Sequence, residues 1–213
     1  SRGGGRIGTG TVLSITAIDS SLAICTTTPG ATSYIFRTTN GGAVWDTVYR
    51  QPGGFLDAIH MLDASNGVAL GDPVGGKWTI LRTANGGATW ARIATEPVQA
   101  GAEFGYINAF FVLNNNYMWF GTDNSRIYRT TNGGATWTFG ATTAVDCFEL
   151  WFSDTQNGVA GFANGAVNRT TNGGATWTAV TFPGTGAIYG VSGAGSNVWI
   201  PRGAAVYRSN DLG

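Results

Sequence analysis

Arg169-Thr170-Thr171-Asn172-Gly173-Gly174-Ala175-Thr176-Trp177 decides the fold, because the chain repeats it. The nine positions read RTTNGGATW again from Arg129 through Asn132 to Trp137. They recur as Arg82-Thr83-Ala84-Asn85-Gly86-Gly87-Ala88-Thr89-Trp90, and as Arg37-Thr38-Thr39-Asn40-Gly41-Gly42-Ala43-Val44-Trp45. The Trp-to-Trp spacings are 45, 47 and 40 residues, and a fifth copy starts at Arg208-Ser209-Asn210-Asp211-Leu212-Gly213, 39 residues after Arg169. Such self-similarity at a fixed period is the first thing to settle, since the period sets the architecture.

A second signal precedes each box. Asp63-Ala64-Ser65-Asn66-Gly67-Val68-Ala69-Leu70-Gly71 parallels Asp154-Thr155-Gln156-Asn157-Gly158-Val159-Ala160-Gly161, and Leu22–Cys25, Tyr117–Gly121 and Asn197–Ile200 hold the same slot. Each unit therefore reads as apolar run, turn, short apolar run, loop, a run ending in Arg, the box, and a run opening at Trp. In the second unit the runs are Phe55–Leu62, Val68–Leu70, Trp78–Thr83 and Trp90–Ile93. Four short strands joined by hairpins make one antiparallel sheet. Four strands in 40 to 47 residues is the period of a β-propeller blade. Helical repeats would need apolar stripes at 3.6-residue spacing, and frequent Gly would cost a helix roughly 1 kcal/mol each. The expected architecture is all-β, with blades near 8–50, 51–97, 98–142 and 143–182 and a partial fifth over 183–213.

The box has a local logic. Asn tolerates the left-handed conformation, its amide bonds nearby backbone, and the following Gly pair allows a tight reversal. The Thr or Ser ahead bonds the same turn through its hydroxyl. Trp45, Trp90, Trp137 and Trp177 supply apolar plates between neighbouring sheets, each able to bury roughly 150–250 Å². Asn40, Asn85, Asn132, Asn172 and Asp211 are accordingly read as structural. So are Arg37, Arg82, Arg129, Arg169 and Arg208, which occupy one repeated slot suited to bonding carbonyls or stacking on Trp.

Composition agrees. The chain has 34 Gly in 213 residues, eight Trp and 43% apolar residues; average Gly content is about 7%. Twelve acids balance twelve bases, of which Lys77 is the sole Lys, so the charge that drives duplex nucleic-acid binding is absent. No run approaches the roughly 18 apolar residues of a membrane-spanning helix. Cys25 and Cys147 are too few for a disulfide framework and lie in no metal-ligand spacing, which leaves them as small apolar strand residues. Gly3-Gly4-Gly5-Arg6-Ile7-Gly8 fits a phosphate-loop pattern but lacks the strand and helix around it. Asn168-Arg169-Thr170 is a glycosylation sequon inside a box. Asp123-Asn124-Ser125 is a hairpin turn without the further oxygen ligands of a calcium loop. No cofactor or metal is expected.

The boxes resemble the Asp-box, or bacterial neuraminidase repeat, with the pattern Ser/Thr-x-Asp-x-Gly-x-Thr-Trp/Phe. Thr170 through Trp177 matches with Asn172 in place of Asp, as do the copies ending at Trp90 and Trp137; the first copy also has Val44 for Thr, and Ser209-x-Asp211-x-Gly213 keeps the Asp. The whole unit looks most like the photosystem II assembly-factor-like group of these propellers. The resemblance implies an extracytoplasmic setting. With no catalytic constellation in the sequence, the expectation is a non-catalytic module of the assembly-factor kind that binds a protein or glycan partner, with no nucleic acid and no membrane insertion on the charge and hydropathy above. The resemblance also implies two alternatives, a sialidase- or xyloglucanase-like glycoside hydrolase and a structural segment of a surface protein. The fifth box breaks off before its Thr-Trp, so the expectation is a longer native chain of about six to eight blades, or else an outer strand supplied by Arg2–Ile7.

For a site, the inter-blade loops stand out: Gln51–Phe55, Pro97–Tyr106, Phe139–Phe148 and Phe182–Tyr189. Glu103, Phe104 and Tyr106 in the long second connection suit a peptide or sugar. The acids nearest the innermost strands are Asp57, Asp72, Glu103, Asp146 and Glu149, and a hydrolase would need two of them across a scissile bond. His60 has no nucleophile paired with it by motif and is read as structural.

Overall fold

The computed structural model describes residue 7 and residues 10–211. The Gly3–Gly8 pattern, most of the Arg2–Ile7 segment and the end of the fifth box lie outside these residues. Every described element is a strand, and all pairings are antiparallel between sequence neighbours. The first sheet holds β1 (Val12–Ala17), β2 (Ala23–Thr27), β3 (Thr32–Thr38) and β4 (Asp46–Pro52), and the second β5 (Leu56–Met61), β6 (Gly67–Val74), β7 (Lys77–Thr83) and β8 (Ala91–Arg92). The third holds β9 (Gly105–Val112), β10 (Met118–Thr122), β11 (Arg126–Thr130) and β12 (Thr138–Ala141), and the fourth β13 (Cys147–Phe152), β14 (Gly158–Phe162), β15 (Val167–Thr170) and β16 (Thr178–Val180). The fifth has three strands, β17 (Ser192–Ala194), β18 (Asn197–Arg202) and β19 (Ala205–Ser209). The architecture is the expected β-propeller type: four four-stranded blades and a partial fifth. The chain forms two compact units, Ser1–Gly101 and Ala102–Gly213.

The box is a side-chain-clamped turn repeated with little variation. The Thr hydroxyl (Thr38, Thr83, Thr130 or Thr170) donates to the Asn Oδ1 two residues on, at 2.9–3.0 Å. The same hydroxyl accepts the N–H of the second Gly at 2.8–3.0 Å. Asn Oδ1 then takes the N–H four residues on. The Asn amide donates to Thr89, Thr136 or Thr176 Oγ1, a contact that Val44 cannot offer in the first box. Ser209 and Asp211 start the same clamp in the fifth sheet. Both Gly of the fourth box have positive φ, 67° at Gly173 and 86° at Gly174, which a side chain would strain. The first Gly of each box also donates to the turn between the first two strands of its own sheet, to Ser21, Ser65, Asn116 or Gln156. Each of those turns begins with an acceptor, Asp19, Asp63, Asn114 or Asp154, that takes N–H groups two and three residues on.

Thr170→Val tests the clamp. Thr170 is buried and accepts Gly174 N at 2.8 Å, so an isosteric methyl orphans a buried donor, which costs about 1–3 kcal/mol. A urea midpoint lowered by that amount at unchanged slope is the expected result.

Within each unit the box also joins consecutive sheets. In Ser1–Gly101, Arg37 Nε donates to Gly86 O at 2.8 Å, and Trp90 packs with Ile24, Ile35, Leu56 and Leu81. In Ala102–Gly213, Arg129 Nη1 donates to Asn172 O and Gly173 O at 2.9 and 3.0 Å. Trp119 Nε1 donates to Gly173 O at 2.7 Å, and Trp177 packs with Trp119, Phe152 and Ile127. The Arg of one sheet and the box of the next thus make a staple over an apolar filling. Arg208 instead bonds Asn197 Oδ1 and lies over the Trp199 ring. Both cysteines are free and buried, and burial raises the Cys25 thiol to about 11.

Candidate functional site

The first strands of neighbouring sheets pack side by side, β1 with β5 and β9 with β13, and in both units a bulge disturbs them. A register shift between Leu56 and Ala58 leaves Asp57 unpaired on β5, and one between Cys147 and Glu149 leaves Phe148 unpaired on β13. A bulge re-aims the extra side chain. At Phe148 it contributes to a row of aromatic rings in Ala102–Gly213. Phe104 meets Tyr106 edge-on at 5.4 Å, Tyr106 meets Phe148 edge-on at 4.7 Å, and Phe148 stacks on Tyr189 at 5.4 Å. The row draws on the segment leading into β9, β9 itself, the bulge of β13, and the segment before β17. Its two ends face solvent, with Phe104 45% and Tyr189 72% exposed. Apolar rings left open in a line across three sheets are the kind of surface that marks an interaction site.

Polar groups fix the row. Tyr106 donates its hydroxyl to Asp146 Oδ1 at 2.7 Å; burial, then that bond, push the phenol upward. Asp146 has φ of 59°, a conformation that Asp tolerates better than most residues. Its N–H donates to Asp123 O, and Asp123 Oδ1 accepts Phe104 N at 3.0 Å. Two residues past Tyr106 on β9, Asn108 hydrogen-bonds Glu149 on β13, whose carboxyl burial raises to about 7.

The candidates separate on this geometry. Phe104, Tyr106 and Asp146 come together directly, and Glu149 lies beside them through Asn108. Glu103 is turned inward: its carboxylate takes Arg126 Nη1 at 2.6 Å and Tyr128 OH at 2.9 Å, so it braces the third sheet. Asp57 and Asp72 belong to Ser1–Gly101. Asp57 is 2% exposed, its Oδ2 accepts no hydrogen bond among the described residues, and burial followed by the Asp72 charge pushes its carboxyl well up. Burial lowers the His60 imidazole. Sequence reading did not single out Asp123 as a support, Asn108, or Phe148 and Tyr189 within their stretches. Asp123 had a usable signal, since an Asp opening a hairpin beside an aromatic loop can accept from that loop. The described residues contain no group of three or more His, Cys, Asp or Glu placed to hold a metal.

Comparison with known proteins bears on the fold. No family model matches the chain, and neither does any curated protein. Solved structures do. A structure of YCF48 bound to a D1 peptide is 20% identical with a TM-score of 0.66, over 94% of this chain and 63% of that one. YCF48 from Cyanidioschyzon merolae is 17% identical with a TM-score of 0.58, over 90% and 63%. The GH74 xyloglucanase from Xanthomonas campestris is 15% identical with a TM-score of 0.67, over 96% of this chain and 37% of the enzyme. The fold is that of the β-propellers. The chain spans under two thirds of the length of these neighbours, and the photosystem II assembly-factor group is among them, as the boxes led one to expect.

A concavity lies apart from the row in Ala102–Gly213. It is a groove of about 340 Å³ lined by Arg169, Thr171, Thr176, Thr178 and Val180. Arg169 holds in β15 the place that Arg129 holds in β11, where the next sheet's box docks. The groove is accordingly the inter-sheet flank of the fourth sheet.

Proposed function

We propose that this chain is a non-catalytic binding module that takes a protein partner, as an extended peptide segment, along the Phe104–Tyr106–Phe148–Tyr189 row. The observation that carries it is the row itself. Its rings are ordered by neighbours and by the Tyr106–Asp146 bond, yet its ends lie open. Aromatic anchors held rigid lose little entropy on binding and dominate interface energies. The peptide-bound state of the YCF48 neighbour supports a peptide over a glycan. The extracytoplasmic setting suggested by the boxes belongs to the same proposal. Selection of a random peptide library on the intact chain is expected to enrich related sequences. Phe104→Ala with Tyr189→Ala should weaken their binding at least roughly tenfold, as loss of two anchors worth more than about 1 kcal/mol each requires, without moving the melting temperature. Unchanged affinity in the double variant would refute the assignment.

Glycoside hydrolysis is the alternative that the raised Glu149 carboxyl favours, since general acids are tuned in this way. Turnover of xyloglucan oligosaccharides is the discriminating assay; the binding reading expects none.

A further inference from the structure

The acids around the row point to the chemistry of what it holds, and this inference rests on the peptide-binding reading above. Asp123 and Asp146 each use Oδ1, one for Phe104 N and the other for Tyr106 OH. Their Oδ2 atoms accept no hydrogen bond among the described residues. Both side chains are half-buried at the edge of the rings. No base of this unit answers them. Arg126 is paired with Glu103, and Arg129 is spent on the box carbonyls. Arg202 donates to Phe182 O, Pro183 O and Gly186 O, and Arg208 to Asn197 Oδ1. Arg169 lies in the groove on β15 and β16. The unit has no Lys. The surface thus combines π faces with two carboxylate oxygens open to a donor and no cation of its own.

We propose that the row clasps an arginine side chain of the partner peptide, its guanidinium laid on the Tyr106 and Phe148 rings with its N–H groups directed to Asp146 and Asp123. A planar guanidinium suits both halves of the site, because it stacks on aromatic faces and presents a fork of donors to carboxylates. An ammonium is more strongly hydrated and binds the same place less well. An apolar side chain would leave the carboxylates facing it unanswered.

The test uses blocked pentapeptides Ac-Gly-Gly-X-Gly-Gly-NH2 with X as Arg, Lys, citrulline or norleucine, titrated into the intact chain and followed by backbone and aromatic NMR shifts. Arg is expected to bind at least roughly tenfold tighter than citrulline, its neutral isostere, with Lys between them, and the shifts should centre on Tyr106, Phe148 and Tyr189. Asp146→Asn keeps an acceptor for Tyr106 and suits the positive φ, and it should collapse the Arg-to-citrulline preference. Citrulline or norleucine binding the row as well as Arg would overturn the cation assignment and leave the peptide reading standing. Shifts from every peptide falling away from the row would sink both.

Discussion

Replacing Trp119 by Ala is expected to lower the unfolding free energy of the chain by about 3–5 kcal/mol, the range for emptying a large buried aromatic site. Trp119 is fully buried, stacks on Phe152 with centroids 3.8 Å apart, and packs on Trp177 of the next box. Its indole N–H is also one of the two donors on Gly173 O, the other being Arg129. Trp119→Phe should therefore cost much less, about 1–2 kcal/mol, because the carbonyl keeps its arginine and only the indole's share of the packing goes. Chemical denaturation of both variants checks the pair. Equal losses would mean that the filling between the third and fourth sheets matters less than the bond to the turn.

Glu149→Gln is expected to stabilise the chain above neutral pH and to flatten part of its pH profile. Burial raises the folded-state carboxyl to about 7, against an ordinary value of 4.5. Between those values the unfolded chain has given up its proton while the folded chain retains it. The stability associated with this group is thus fully present below pH 4.5 and is lost as pH rises through 7. A tenfold change in proton affinity corresponds to about 1.4 kcal/mol. With solvent screening of the charged form allowed for, the advantage of the Gln variant at pH 8 is on the order of 2 kcal/mol. Gln keeps an acceptor for Asn108. Asp57, whose carboxyl is pushed up by burial and Asp72, acts in the same direction in the other unit and remains in both proteins. The difference between urea midpoints of variant and parent across pH 4 to 8 isolates Glu149. Parallel profiles would contradict its assignment as a buried, proton-retaining acid.

The strand pattern was legible because it repeats. A Thr, an Asn, two Gly and a Trp at fixed offsets carry a complete turn chemistry, and the structure uses each at the atom its type suggests: hydroxyl to amide, amide to backbone, Gly at positive φ. The arginine slot was legible for the same reason, and Arg37 and Arg129 do bond carbonyls of the following box. The site was legible only in outline. Phe104, Tyr106 and Asp146 stand out by type and by loop, but nothing in the local sequence says that Phe148 is the extra residue of a bulge. That follows from the register in which β13 pairs with β14, which the residues of β13 alone do not specify. The inward turn of Glu103 was likewise hidden, because Arg126 and Tyr128, its partners, lie on β11, two strands across the sheet from β9. Acid in a loop looks the same on paper whether it faces water or an arginine.

Backbone hydrogen exchange of the intact chain, with and without a library-selected peptide, tests the binding surface most directly. Slowed exchange is predicted at the start of β9, across Asp146–Phe148 and around Tyr189, with the outer strands β15 and β16 unchanged. Protection confined to the Arg169–Val180 groove, with the aromatic row exchanging as in the free protein, would contradict the assignment.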